Sequence, residues 1–119
     1  LVDSAQYFWI DADTLVQICI KRKIRIHGHT LLWHQAIPKW IPETIDSASL
    51  ENIIKNHILT VVHRYKGKVA SWDVVNEVFD DEDSTIRSHF IYQKLGRGIV
   101  ERAFRYAHMA DPKALLFYN

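Results

Sequence analysis

The chain has 119 residues, a length that allows one modest hydrophobic core and therefore one domain or part of one. Its 48% hydrophobic and 24% charged residues are typical of a globular protein, and its formal net charge of +1 is spread along the chain. This pattern excludes a basic surface for nucleic acid, and no apolar run approaches the roughly 18 residues of a membrane-spanning helix.

The first third of the chain predicts a helix, a strand and a long loop. Asp11 or Asp13 can cap the helix, whose apolar residues recur at helical spacing at Ala12, Leu15, Val16, Cys19 and Ile20. A run rich in β-branched residues over 24–32 predicts the strand. Two prolines within 33–45 predict the loop.

The middle of the chain predicts a second helix followed by a second strand. Asp46 and Ser47 begin this helix and Gly67 ends it, with a buried stripe formed by Leu50, Ile54, Ile58, Val61 and Tyr65. Residues 69–75 are predicted to form the strand.

The last third predicts a surface loop, a third helix and a third strand. Residues 79–87 are acidic and polar, as expected of a loop. The helix is predicted over 98–110, with Val100, Ala103, Phe104 and Ala107 facing inward, and Asp111 and Pro112 stop it. Residues 114–118 begin the strand.

Strict alternation of helix and strand predicts an α/β fold with a parallel sheet. A doubly wound sheet and a slice of a (β/α)8 barrel both fit this order. The first strand–helix link carries no glycine-rich phosphate loop, and polar and aromatic residues follow the strands, where barrel active sites lie. The pattern therefore favours part of a (β/α)8 barrel.

Glu77 is the strongest candidate for chemistry, because it ends the run Ser71-Trp72-Asp73-Val74-Val75-Asn76-Glu77 at the carboxyl end of a predicted strand. A carboxyl group in a mouth walled by tryptophan would be desolvated, which favours its protonated form and lets it donate a proton near neutrality. Asp73 lies about 13 Å away along a regular strand, too far to be the second carboxylate of a glycosidase. We therefore expect Asp73 to hold a neighbouring histidine or arginine.

Histidines and tryptophans surround the end of the first predicted strand. His27 and His29 share a face, but two histidines without a nearby cysteine or carboxylate ligand are a weak metal signal, so we predict no metal. Hydrogen bonding to a polar substrate or to buried backbone explains them better. Trp33 and Trp40 flank the following loop and suit a sugar-binding cleft, since indole faces stack on pyranose rings.

Two motifs together resemble glycoside hydrolase family 10, whose members are mainly endo-β-1,4-xylanases. Gly28-His29-Thr30-Leu31-Leu32-Trp33-His34, followed by Pro38 and Trp40, resembles the third-strand signature of that family. Trp72-Asp73-Val74-Val75-Asn76-Glu77 resembles its fourth-strand motif. Similar spacing extends to Arg64-Tyr65-Lys66-Gly67, to Ala110-Asp111-Pro112 and to Phe117-Tyr118-Asn119, so the resemblance spans nearly the whole chain. The fold it implies is about strands 3 to 5 of the barrel.

The resemblance implies retaining hydrolysis of internal β-1,4-xylosidic bonds in xylan, with Glu77 as the general acid/base and with no cofactor. It implies that Asn76 and His29 bind the sugar at the cleavage point and that Trp33 lines that subsite. His34 and Asp73 would support these residues, paired with each other. Because Asn76 and Glu77 are adjacent, both can reach one cleft only if the strand twists or bulges at its end.

The same resemblance implies that residues 1–119 are an incomplete part of one catalytic domain. The chain begins at Leu1 and its only methionine is Met109, and the family's nucleophilic glutamate would lie beyond Asn119. The isolated chain is therefore expected to be marginally stable and inactive, whereas the complete enzyme is expected to be monomeric and, because xylan cannot enter a cell, secreted.

Two departures from the family pattern concern the sugar subsites. The family usually has arginine or lysine before the Gly-His pair, where this chain has His27. Many members have glutamine two residues after the Trp-His pair, where this chain has Ala36 and places Gln35 one residue earlier.

Three other functions remain open from the residues alone. A related barrel enzyme acting on β-1,4-glucan shares the Asn-Glu pair. A carbohydrate-binding remnant without activity would keep the same aromatic residues. A metal-binding α/β domain would depend on His27 and His29.

Overall fold

The computed structural model describes residues 6–119, in which helices and strands alternate except that two helices precede the last strand. In chain order the elements are α1 (Ile10–Lys21), β1 (His27–Trp33), α2 (Ser47–Arg64), β2 (Ser71–Asn76), α3 (Phe90–Leu95), α4 (Gly98–Ala110) and β3 (Leu115–Tyr118). The strands form one parallel sheet in the order β1-β2-β3, so β2 is central. The predicted parallel α/β arrangement is confirmed. No helix among residues 6–119 is long and apolar enough to cross a membrane.

Helices α2 and α4 pack against each other and against the sheet, and both follow the sequence prediction closely. The Asp46 side chain caps α2 by accepting a hydrogen bond from the backbone N–H of Ser49 at 2.8 Å. The buried stripe of α2 consists of Leu50, Ile54, Ile58 and Val62, so Val62 replaces the predicted Val61, which is partly buried. The buried residues of α4 are Ile99, Ala103, Ala107 and Ala110, while Val100 and Phe104 are partly buried.

Helix α1 differs from its prediction at its start and on its apolar face. Trp9 is the N-terminal cap residue and makes no side-chain cap, so the predicted cap by Asp11 or Asp13 is wrong. Asp13 instead forms an ion pair with Arg64 and accepts a hydrogen bond from the Tyr65 hydroxyl at 3.0 Å. Val16 is the buried residue of α1, whereas Leu15 is 61% exposed. The apolar residues of α1 therefore recur at helical spacing as predicted, but the described residues do not cover all of them.

The two faces of the sheet have opposite chemical character. Side chains alternate across a strand, and Gly28 of β1 faces the same side as Trp72 of β2, towards the helices. A Cβ atom on Gly28 would lie 2.1 Å from the Trp72 ring, so only glycine leaves room for this indole, which also packs against Tyr65. The opposite face carries the polar residues His27, His29, Ser71 and Asp73.

Candidate active site

Glu77 directly follows the central strand and is held from three directions. Its side-chain Oε2 accepts a hydrogen bond from the indole Nε1–H of Trp33, the last residue of β1, at 2.9 Å. Its backbone N–H donates to the carbonyl of Asn119 at 2.8 Å, and its own carbonyl accepts from Nε of Arg87 at 2.9 Å. The residue remains exposed, so the desolvation expected from the sequence would have to come from groups outside residues 6–119.

The backbone is irregular at the end of β2. Glu77 has a φ of 51°, in the left-handed region that a residue with a side chain seldom adopts. The pairing of β1 with β2 shifts register between His29 and Leu32, and that of β2 with β3 shifts between Asp73 and Val75. This confirms the predicted irregularity at the strand end, which the sequence required if adjacent Asn76 and Glu77 were to serve one cleft.

Asn76 is 2% exposed and is oriented by the next strand. Its Oδ1 accepts a hydrogen bond from Nδ2 of Asn119 at 2.7 Å. This bond fixes the orientation of the Asn76 amide and leaves its Nδ2 hydrogens as the side-chain donors.

Asp73 lies between two histidines on the polar face of the sheet. Its Oδ2 is 2.9 Å from Nδ1 of His29 and 3.0 Å from Nε2 of His27. Burial alone would raise the pKa of Asp73, but hydrogen bonds from the two imidazoles outweigh it and leave the pKa below its ordinary value of 3.8. The expectation that Asp73 holds a neighbouring histidine is confirmed. These distances are those of hydrogen bonds, and residues 6–119 contain no group of three side chains placed to hold a metal ion.

His34 does not pair with Asp73, so that expected contact is wrong. The His34 ring instead packs against His89 and Tyr92, with ring centroids 5.7 and 6.5 Å apart. Burial, then the nearby charge of Arg87, lowers the pKa of His34, and burial also lowers that of His89. Burial raises the pKa of Tyr92 to about 12. His34 therefore belongs to a cluster of rings with His89 and Tyr92, next to the end of β1.

This cluster predicts a loss of stability in acid. A histidine whose pKa lies below 6.5 when folded binds fewer protons folded than unfolded, so its contribution to stability is full above pH 6.5 and declines as the pH falls below it. We expect the free energy of unfolding of the complete protein, measured in urea, to decrease from pH 6.5 to pH 5. His34→Gln, which cannot take up the proton, should flatten this dependence, and an unchanged slope would contradict the assignment.

The two tryptophans expected to flank a sugar cleft have different positions. Trp33 contacts Glu77, as described above. Trp40 is 43% exposed and lines a cavity of about 560 Å³ between the end of β1, the following loop and α2. Trp33 also borders this cavity, whereas Glu77 does not. Only Trp33 is thus placed to act with Glu77.

Sequence reasoning missed two residues that position Glu77. Arg87 bonds the carbonyls of Glu77 and Phe79, at 2.9 and 3.1 Å, and forms an ion pair with Asp80 at 3.6 Å. Asn119 holds both the Glu77 backbone and the Asn76 side chain. The signal for Arg87 was its position as the one basic residue at the end of an otherwise acidic loop. For Asn119, the resemblance indicated only that it belongs to the start of the third strand, with no role in the site.

Comparisons with known proteins agree with this geometry. The family model "Glycosyl hydrolase family 10" matches residues 2–119. The chain is 44% identical over 117 residues to "Endo-1,4-beta-xylanase 3" of Hypocrea jecorina, covering 98% of the chain and 33% of that protein. It therefore spans about a third of this curated relative.

Two solved structures resemble the fold closely. One is xylanase 10B from Thermotoga petrophila in complex with xylobiose, with a TM-score of 0.91 and 39% identity, covering 97% of this chain and 35% of that one. The other is an intracellular xylanase of Thermoanaerobacterium saccharolyticum in complex with xylotetraose, with a TM-score of 0.89 and 33% identity, covering 98% and 40%.

The three-stranded parallel sheet and its helices match the corresponding part of these two structures, so the fold is part of a (β/α)8 barrel, with Glu77 at the carboxyl end of a barrel strand. The chain belongs to glycosyl hydrolase family 10. The barrel interpretation of the sequence is therefore confirmed over a doubly wound sheet.

Proposed function

We propose that the protein containing this chain is an endo-1,4-β-xylanase that cleaves internal bonds of xylan with retention of configuration. The observation that carries the proposal is the position of Glu77. It ends the central parallel strand and is held by Trp33, Arg87 and Asn119. The 44% identity to a xylanase supports xylan as the substrate.

In this mechanism Glu77 protonates the leaving glycosidic oxygen and later removes a proton from water. A second carboxylate, about 5–5.5 Å from Glu77, attacks the sugar and forms a covalent intermediate. Asp80 and Asp81 do not suit that role, because both pair with Arg87, at 3.6 and 3.8 Å. By the family resemblance the nucleophile lies beyond Asn119, so the complete protein would supply it, and residues 1–119 alone would not hydrolyse xylan.

Three residues are proposed to bind the sugar next to the cleaved bond. His29 has Nδ1 engaged by Asp73, which leaves Nε2 for a sugar hydroxyl. Asn76 offers its amide N–H groups to the 2-hydroxyl. Trp33 positions the Glu77 carboxyl and offers its ring to the same subsite. Asp73 and His34 are proposed as supporting residues that do not themselves bind the sugar. Two carboxylates suffice for the reaction, so we propose no cofactor.

The test compares polymers and products in the complete protein. We expect hydrolysis of xylan at least roughly tenfold faster than that of soluble cellulose, because a subsite shaped for xylose rejects the additional hydroxymethyl group of glucose. The first product seen by proton NMR should be the β-anomer. Faster cleavage of cellulose would favour the glucanase alternative. Xylo-oligosaccharide binding without turnover would favour a non-catalytic carbohydrate-binding protein.

Secretion and a monomeric state are proposals of a different kind, since they follow from the polymeric substrate and from the resemblance. One structurally similar xylanase is described as intracellular, so membership of the family does not by itself imply secretion. Fractionating the producing cells and measuring the mass of the purified enzyme in solution would test both.

A further inference from the structure

The polar face of the sheet carries a chain of hydrogen bonds that starts at a residue the catalytic scheme does not use. Ser71 Oγ is 2.8 Å from Nδ1 of His27, and Nε2 of His27 is 3.0 Å from Oδ2 of Asp73. The same Oδ2 is 2.9 Å from Nδ1 of His29. Four side chains from two neighbouring strands thus form one connected series.

The protonation of this series follows from the carboxylate at its centre. Asp73 is ionised above its lowered pKa and can only accept hydrogen bonds. Both imidazole nitrogens that face it must therefore carry a proton. In the neutral imidazoles, a proton on Nε2 of His27 leaves its Nδ1 to accept from the Ser71 hydroxyl, and a proton on Nδ1 of His29 leaves its Nε2 for a ligand.

His27 also has the packing expected of a side chain with a fixed orientation. Its ring meets Phe117 of β3 edge to face, with centroids 6.0 Å apart and an interplanar angle of 65°. The strand register places His27 opposite Ser71 and His29 opposite Asp73, so the backbone itself brings the members of the series together.

We infer that His27 is a positioning residue that holds the Asp73 carboxylate and, through it, fixes the orientation and tautomer of His29 towards the sugar. The catalytic part of this inference rests on the proposed function, since it assumes that His29 binds substrate. Losing the His27 donor frees Asp73 to rotate, and His29 then samples a second tautomer whose Nε2 carries the proton.

Glutamine and asparagine distinguish this role from a structural one. The amide nitrogen of glutamine reaches the position of Nε2 and keeps the donor to Asp73, whereas that of asparagine reaches only the position of Nδ1, next to Ser71. In the complete protein, His27→Gln should keep kcat/KM on xylan close to wild type, and His27→Asn should lower it about tenfold, the usual order for a lost hydrogen bond to a charged group. The same pair of substitutions at His108, an exposed residue of α4, should change neither value.

The nitrogen-15 NMR spectrum of labelled histidines provides a readout that needs no turnover. Wild type and His27→Gln should show His29 protonated at Nδ1 alone, and His27→Asn should show a mixture of tautomers. Ser71→Ala, which keeps every imidazole, should give a smaller shift in the same direction and serves if His27→Asn does not fold.

Equal kcat/KM in the two His27 variants, or an unchanged His29 spectrum in both His27→Asn and Ser71→Ala, would overturn the inference. Failure of the wild type to cleave xylan would instead count against the proposed function, while the tautomer measurement would still decide the role of His27.

Discussion

Glu77→Ala is expected to lower kcat on xylan by about 10²–10⁴-fold in the complete protein, the range typical of losing a general acid/base. Protonation of the leaving oxygen matters most when the leaving group is poor. The loss should therefore be smaller on an aryl β-xylobioside, where a good leaving group departs without help. The rates on both substrates, measured side by side, test this expectation.

Azide makes the same experiment specific for the acid/base role. A small anionic nucleophile can enter the space left by the carboxylate and attack the glycosyl-enzyme without general-base help. Added azide should therefore restore turnover of the aryl substrate and yield a β-glycosyl azide. Glu82→Ala, at an exposed acidic residue of the following loop, is the matched control and should behave as wild type. If Glu77→Ala also matches the wild type, Glu77 is structural and the mechanism fails.

Gly28→Ala is expected to destabilise the complete protein by at least about 1–3 kcal/mol, as overpacking of a tight interior does. The added Cβ would lie 2.1 and 2.2 Å from two atoms of the Trp72 ring, which is itself buried between the sheet and Tyr65. Neither the ring nor the strand backbone can move aside easily. Urea unfolding followed by fluorescence measures the loss.

Two further variants separate the clash from a general effect of alanine. Gly98→Ala brings its Cβ within 2.7 Å of Nη1 at the end of the long Arg102 side chain, which can shift at the expense of its bonds to Glu51 and to the Leu95 carbonyl. It should cost much less than Gly28→Ala. Trp72→Leu should lose less stability in the Gly28→Ala background than in the wild type, because the clash is then absent. Strict additivity of the two substitutions would refute the assigned contact.

Features set by local sequence were predicted well. The cap by Asp46 and the bounds of the helix over 98–110 depend on a few neighbouring residues, and the structure reproduces both. Helix α3 was missed because six residues are too few for an apolar period to emerge. The cap proposed for α1 failed because the helix begins at Ile10, ahead of both aspartates, and Asp13 instead pairs with Arg64, 51 positions away.

In the candidate site, too, features set by neighbouring residues were predicted and contacts between distant residues were not. Adjacent residues and strand ends could be read from the motif, including Glu77 and the irregularity that follows Asn76. Which histidine contacts Asp73 could not be predicted from the motif. That contact depends on the register between β1 and β2, which places His29 opposite Asp73. His34 lies beyond the last paired residue of β1 and turns towards His89 instead. Contacts across the sheet are determined by pairing that spacing along one strand does not reveal.

The central position of β2 also has a consequence for hydrogen exchange. Its backbone groups are bonded to strands on both sides, and the Glu77 amide is bonded to Asn119 beyond the end of the strand. Each of these amides is bonded to one neighbouring strand while the other strand holds the backbone in place, so exposing it to solvent takes a larger and rarer fluctuation than fraying at an edge. The glutamate proposed to donate the proton therefore directly follows a strand that is held on both sides by the described chain itself, while its exposed side chain remains free to meet substrate.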